Sequence, residues 1–425
     1  MDSVTRTLGD ICDEVGGIIR TGPFGTQLHR TDYQDEGTPV VMPKDIVDGK
    51  ISTKSIARVG QNHVNRLSQH KLEEGDIVFG RRGEIGSHAL VTKREFGWLC
   101  GTGCLRISLG HSVLYPPFLH YYLSQPKVVN WIRNHAIGAT MPNLNTKIIR
   151  SIPVTYPSIE IQQKIAGVVS PYDDLVENNT QRIRILEDMA QTLYREWFIN
   201  FRFPGHENAK MTESESGIIP SEWETKSITE VSYFRFIKEN ISRFNGQKEY
   251  FATANIVGTE IVKPGILYEF ENKPSRAKKQ PLTYSVWFAR MKETYKVLGF
   301  TEANENLARY SILSSGFAGF QSKKEHFGFL YNLVKSKEFH ELKDTYCTGA
   351  TQMALTNDGL SRISIVLPPE DLIARYSKTA NPIIDQCLIL RTANTNLRQT
   401  RDLLIPPIFS GEIEVNELDI NIPSD

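Results

Sequence analysis

Two arginines on a glycine-flanked turn, Arg81-Arg82-Gly83-Glu84-Ile85-Gly86, are the side chains in this sequence best equipped to read a phosphate or a base edge. A guanidinium on such a turn reaches guanine edges or phosphates; in the other reading it closes a salt bridge on Glu84 or Asp76. Gln27, His29 and Arg30 follow a flexible Gly22-Pro23-Phe24-Gly25 segment and are candidate base or phosphate contacts. Polar side chains gather at Thr140, Asn143, Asn145 and Lys147, and again at Thr351, Gln352 and Asn357. Asn and Gln amides can pair with adenine through two hydrogen bonds. Recurrence of the cluster in two places favours a shared structural task instead, such as helix capping or docking. Arg276, Lys278 and Lys279 form a basic run, as do Lys323 and Lys324, and Arg290 ends an apolar stretch. Phosphate positioning, or a plain solvated face, suits these runs better than base readout.

No catalytic constellation accompanies them. A G-x-x-x-x-G-K-[ST] phosphate loop is missing, and Gly101-Thr102-Gly103 lacks the third glycine of a dinucleotide fingerprint. Leu114-Tyr115-Pro116-Pro117-Phe118 is shaped like the Pro-Pro loop of amino-methyltransferases, but Tyr115 cannot supply the acceptor oxygen that holds the target amino group, so it reads as a helix-entry turn. Glu224-Thr225-Lys226 matches only the end of a nuclease carboxylate motif, with no aspartate in about thirty residues before it. His206 and His326 have no nucleophile partner in sequence. Cys12, Cys100, Cys104, Cys347 and Cys387 form no C-x-x-C pair, so no metal site is expected.

The elements that must position the polar residues come in two copies. Residues 138–198 return in degraded form at 349–409: Arg150 and Arg362 stand 212 apart, and Pro171/Pro382, Asp174/Asp385, Leu186/Leu397, Leu193/Leu404 and Phe198/Phe409 stand 211 apart. A period this long is no solenoid repeat; it implies two homologous halves, each a globular domain followed by a long helix. Val176, Asn179, Ile183, Leu186, Ala190, Leu193 and Trp197 advance in steps of 3 and 4, as do Cys387, Leu390, Asn394, Leu397, Arg401 and Leu404. Such seams predict that the two helices pack on each other as a coiled coil, with one asparagine in each seam to fix register. Pro171 is expected to kink or interrupt the first helix. The globular parts echo each other only weakly: Val286-Trp287-Phe288-Ala289-Arg290 sits where Ile77-Val78-Phe79-Gly80-Arg81 does, offset by 209. The expectation is therefore an α+β protein, two mixed α/β domains with like helices and diverged globular parts, with pseudo-twofold symmetry. Its segments are a first domain at 1–157, a helix at 158–203, a linker at 204–220, a second domain at 221–370, a second helix at 371–410 and a tail at 411–425. A helix over residues 159–198 would be about 60 Å long at ~1.5 Å per residue, comparable with one to two turns of duplex at about 34–36 Å each.

Bulk properties bound the rest. Forty-nine basic and 49 acidic residues leave a net charge of zero, which argues against a stand-alone, sequence-indifferent nucleic-acid binder. A local basic face with a partner supplying further phosphate contacts remains open. No run of about 18 apolar residues could cross a membrane. The first residues, Met1 to Arg6, lack the apolar core of a signal peptide, so a cytoplasmic location is expected.

In this order, Leu8-Gly9-Asp10-Ile11, Thr21-Gly22-Pro23-Phe24-Gly25-Thr26-Gln27-Leu28, Gly37-Thr38-Pro39-Val40-Val41 with Asp45-Ile46 and Gly49-Lys50-Ile51, Leu72-Glu73-Glu74-Gly75-Asp76-Ile77-Val78 with the Arg81 turn, Pro153-Val154-Thr155-Tyr156-Pro157, Ile161-Gln162-Gln163-Lys164-Ile165 and Gly217-Ile218-Ile219-Pro220-Ser221-Glu222-Trp223 resemble the specificity (S) subunit of type I restriction-modification systems. The resemblance runs over essentially the whole length, although the second domain lacks the Gly-Pro-Phe-Gly segment and the Arg-Arg-Gly turn. It implies a non-catalytic subunit with two target-recognition domains, one per half of an asymmetric bipartite site on double-stranded DNA, and an antiparallel coiled coil between them. It further implies two methylating (M) subunits that bind S-adenosylmethionine and two restricting (R) subunits that use ATP, with no cofactor in this chain. The aromatic end of the first helix, Trp197, Phe198 and Phe201, is either an anchor for a methylating subunit or core packing between domain and coil. The rival functions are an enzyme acting on DNA with a fused reader, and a coiled-coil adaptor with no DNA role.

Overall fold

The computed structural model describes residues 3–138, 143–215, 217–350, 352–415 and 418. They divide into two compact units, one of residues 1–174 with 397–425 and one of residues 175–396. Each unit therefore owns one globular part and a portion of both long helices.

In the first unit an antiparallel sheet runs in the order Ile18–Thr21, Cys104–Ser108, Ile77–Gly80, His88–Leu90. A second sheet runs Leu99–Cys100, Thr38–Val41, Ala57–Val59, Tyr33–Gln34, its first pair parallel. The helices Pro116–Ser124 and Pro126–His135 start at prolines, which fit a first helical turn because the N–H they lack would have no partner there. A ribbon of Val4–Thr7 against Pro153–Tyr156 closes the domain before the first long helix. The core gathers Leu8, Phe79, Leu105, Phe118 and Ile149 with Ile165 and Val169 of the first long helix and Ile405 and Ile408 of the second. Gly22 is required where it stands: a Cβ there would meet the Gly101 carbonyl oxygen at 2.0 Å.

The second unit repeats this plan. Phe234–Phe236, Phe317–Ser322, Ser285–Ala289 and Val297–Phe300 form its antiparallel sheet. Lys248–Phe251 pairs parallel with Ser311–Ser314 and antiparallel with Ile266–Tyr268 in the other. Helices Lys324–Lys335 and Lys337–Thr345 follow, and a ribbon of Glu224–Ser227 against Ser364–Leu367 closes the domain. The globular parts, expected to have diverged, share the full strand order of the antiparallel sheet and three strands of the other, whose fourth strand lies beside Ala57–Val59 in one unit (Tyr33–Gln34) and beside Ser311–Ser314 in the other (Ala277–Lys279). Even the strand, 3-10 turn and small hairpin of Thr38–Val41, Pro43–Asp45, Ile46–Val47 and Lys50–Ile51 recur as Lys248–Phe251, Thr253–Asn255, Ile256–Val257 and Glu260–Ile261. A buried strand needs apolar bulk rather than particular residues, so topology survives where identity does not.

The long helices are Ile159–Tyr194, continued by a π-turn at Arg195–Ile199, and Glu370–Ser410. Pro171, expected to kink or interrupt the helix, does not interrupt it: the helix runs on through this exposed proline. In the second unit the helices meet in antiparallel sense: Asn179 donates to Asn394 at 2.9 Å, Ile183 packs with Cys387 and Leu390, and Tyr376 donates to the Ala190 carbonyl at 3.1 Å. In the first unit the Phe409 ring lies tilted against Phe118, centroids 5.0 Å apart. The expected seam is seen at Asn179, Ile183, Leu186, Cys387, Leu390 and Asn394, the two amides bonding each other, while Leu193 and Trp197 pack on the second unit's core and Leu404 on the first unit's. Residues 204–220, expected as a linker, contain an antiparallel hairpin of Met211–Ser214 and Gly217–Pro220.

Candidate nucleic-acid interface

The same turn geometry stands at one end of each antiparallel sheet. In the first unit Arg81 follows strand Ile77–Gly80, and its Nε donates to the Leu144 carbonyl at 2.9 Å. The backbone locks the pair, Leu144 N–H donating to the Arg81 carbonyl at 3.0 Å and Arg81 N–H to the Gly103 carbonyl at 2.8 Å. In the second unit Arg290 follows strand Ser285–Ala289, and its Nη1 donates to the Leu355 carbonyl at 2.8 Å. Leu355 N–H returns a bond to the Arg290 carbonyl at 2.8 Å, and Arg290 N–H reaches the Gly316 carbonyl at 2.9 Å. Two arginines in matching places thus hold matching loops.

Neither has a carboxylate partner among the described residues. Asp76, the acid offered to Arg81 by the sequence, faces Arg106 at 3.7 Å instead. Burial lowers the pKa of both guanidinium groups, and Arg82 adds to the effect on Arg81. A half-buried cation held only by carbonyl and amide oxygens is incompletely compensated, and an anion placed against it gains accordingly. Arg290 also donates to the Asn357 amide oxygen at 2.8 Å and stands 6.0 Å from the Phe236 ring. Lys279 lies close enough for the Arg290 charge to depress its pKa further, after burial itself; its Nζ donates to the carbonyls of Lys238 and Glu239.

The polar loops flank these arginines. Ile137 and Asn143 bond each other's backbones, as Cys347–Thr348 pairs with Ala354–Leu355. Asn145 caps helix Thr146–Arg150 by accepting from Ile148 N–H at 2.9 Å. Its counterpart 211 residues on, Thr356, caps helix Asn357–Ser361. Capping therefore explains the recurrence of that position. Asn143 keeps a buried amide oxygen without a hydrogen-bond partner. Lys147 and Gln352 are exposed, while Thr140 and Thr351 lie outside the described residues. Gln27 closes its own loop, accepting from Phe24 N–H at 3.1 Å. His29 and Arg30 are exposed at a 3-10 turn, and Arg82, Arg276 and Lys278 are exposed too.

Other candidates stand elsewhere. Lys323 and Lys324 follow Ser322, at the end of the strand opposite to Phe317, which pairs with Ala289 beside Arg290. Lys324 faces Glu302 at 3.1 Å and Lys323 faces Glu325 at 4.0 Å. Phe198 is buried in the second unit's core against Phe329 and Tyr376, with Trp197 and Phe201 packed on that core. Sequence reasoning missed Lys292 and Lys296, on the turn after Arg290; Lys296 donates to the Thr253 carbonyl at 2.7 Å. Among the described residues no three His, Cys, Asp or Glu side chains form a metal-binding group, and no helix is long and apolar enough to cross a membrane.

A model of the type I restriction modification DNA specificity domain matches residues 1–188. The type I restriction enzyme MjaIX specificity subunit of Methanocaldococcus jannaschii is 24% identical over 408 residues, covering 91% of this chain and 89% of that protein. The HindI specificity subunit of Haemophilus influenzae is 23% identical, covering 80% and 87%. The solved S subunit of a type I restriction-modification system from M. genitalium superposes with a TM-score of 0.56 at 14% identity, over 96% of each chain, a likeness of fold.

Proposed function

We propose, from the premise that the chain belongs to the family of type I restriction-modification specificity subunits, that it reads a bipartite DNA site with one half assigned to each unit. The observation that carries this reading is the pair Arg81 and Arg290, each at the same end of the same sheet, each half-buried without an acidic partner among the described residues. A polyanion supplies the missing countercharge, and sequence is read by the side chains that surround the anchored phosphate or base. Unlike neighbours, Arg82 beside Arg81 in one unit and Lys279 near Arg290 in the other, suit two different half-sites. Shared topology with unlike rims is what an asymmetric target asks for.

The chain acts without catalysing. Methylation is assigned to two M subunits carrying S-adenosylmethionine and cleavage to two R subunits using ATP, in the cytoplasm where the chromosome lies. The zero net charge fits a reader whose partners supply further phosphate contacts. The test is duplex binding by the complex of this chain with its methylating subunit, measured against salt. Arg81→Ala and Arg290→Ala should each weaken binding, with the log–log salt slope reduced by about 1 for each phosphate no longer neutralised. Unchanged affinity and slope in both variants would leave these arginines as loop anchors only, and S-adenosylmethionine binding by the chain alone would sink the non-catalytic reading.

A further inference from the structure

Each unit joins its globular part to the long helices through a half-buried acid–arginine cluster. In the second unit Glu187, on the first long helix, is ion-paired with Arg391 of the second and with Lys335, at 3.0 Å, of helix Lys324–Lys335. Thr259, in the small hairpin, donates to Glu187 at 3.0 Å and accepts from Arg391 at 2.7 Å. In the first unit Asp173, on the first long helix, is ion-paired with Arg401 of the second. It accepts from Tyr121 of helix Pro116–Ser124 at 2.7 Å, and its carbonyl accepts from Lys50 of the corresponding hairpin at 3.2 Å. Four kinds of element meet in both places: both long helices, the first helix of the globular pair and the small hairpin.

The clusters are not copies of one inherited pair. The repeat that relates the helices would carry Asp173 to Ile384 and Glu187 to Arg398, so the acids occupy unrelated positions. The same junction is reached twice with different residues. Stability is a poor reason for it, since apolar side chains of equal volume hold a buried junction as well or better; a buried charge cluster is better suited to specifying one geometry. Burial alone would raise the Glu187 pKa, yet Arg391 and Lys335 hold it below its ordinary value, so the acid stays charged and the cluster intact at neutral pH.

We propose that Glu187 with Arg391, and Asp173 with Arg401, are positioning residues that set the angle at which each reader is carried on the helices, and so determine the length of unread DNA tolerated between the half-sites. This deepens the reading of the chain as a specificity subunit and rests on it. The experiment compares methylation, by the complex with the methylating subunit, of duplexes carrying the recognised site with its own gap and with the gap longer or shorter by one base pair. The native chain should prefer its own gap by at least about tenfold, or ~1.4 kcal/mol. Glu187→Gln and Asp173→Asn should flatten that preference several-fold while the sequences of the two blocks stay the same. Thr259→Val, which keeps the ion pair and removes only the hydroxyl tie to the hairpin, should flatten it in part and guards against a misfolded variant. A gap preference unchanged in all three, with methylation lowered evenly at every gap length, would overturn the proposal and leave the clusters as plain supports. Failure of the native complex to methylate any of the duplexes would overturn the specificity reading itself, a result the variants do not enter.

Discussion

The asparagine pair in the helix seam gives the most discriminating test of register. Asn179 donates to Asn394, and to no other group among the described residues. Asn394 in addition points its amide at the Val176 carbonyl, 3.5 Å, and the Thr180 hydroxyl, 3.3 Å. Both are buried, 9% and 3% exposed, so a missing partner is poorly replaced by water. Asn394→Leu leaves the Asn179 amide group without an acceptor and should cost about 2–3 kcal/mol, the upper part of the range for an orphaned buried polar group. Asn179→Leu leaves the Asn394 amide oxygen without the donor seen here, although its nitrogen keeps two weaker acceptors, and should cost about 2 kcal/mol. Changing both to leucine removes both polar groups at once and should return stability to within about 1 kcal/mol of the native chain, giving a coupling energy of about 2 kcal/mol or more. The double variant should also lose some of its unique register, because a buried polar pair at a seam specifies alignment at the expense of stability. Urea unfolding followed by far-ultraviolet circular dichroism supplies all three numbers. Additive costs in the double variant would refute the pairing of the two amides argued from these distances.

Acid sensitivity should differ from group to group. Burial, with the Lys343 charge beside it, pushes the His340 pKa down to about 4. The neutral ring is therefore favoured by folding, so its contribution is present above the unfolded value of about 6.5 and is lost as pH falls from there toward 4, a loss on the order of 3 kcal/mol in all. Unfolding of the second unit followed by denaturant at stepped pH should show it, and His340→Gln should remove that slope. In the first unit burial also lowers His88 and, more strongly, His120, which has His88 as a neighbour. Destabilisation below about pH 6.5 should follow there too, and two-dimensional NMR of the imidazoles should find both neutral at pH 6.

Much of the helical frame was legible because coiled-coil seams write themselves in steps of 3 and 4 that few other structures need. Asn179 and Asn394 even announced the register-fixing pair, although spacing alone could not say that they meet in opposite chain directions. The shared sheet topology was not legible. Ile77–Gly80 and Ser285–Ala289 are both buried throughout, yet His88 in one unit stands near where Val297 does in the other. Burial imposes size and shape, and residue identity then drifts. Of the site, the echo of Arg81 in Arg290 was visible as the end of an apolar strand, while their shared task of gripping Leu144 and Leu355 needed the fold. Lys323 and Lys324 looked like Lys278 and Lys279 in sequence, because a basic run does not reveal which end of a strand it follows. Pro171 lies inside an uninterrupted helix, because a neighbouring helical ladder can continue past one missing N–H.

The central claim, one reader per unit and a divided target, is tested most directly by mapping methylated adenines across the genome of cells that co-express this chain with its methylating subunit. The account predicts a single asymmetric motif of two short blocks around a fixed gap, with Arg81→Ala weakening or relaxing one block and Arg290→Ala the other. A continuous or symmetric motif, both variants acting on the same block, or methylation directed by this chain without its partner, would contradict it.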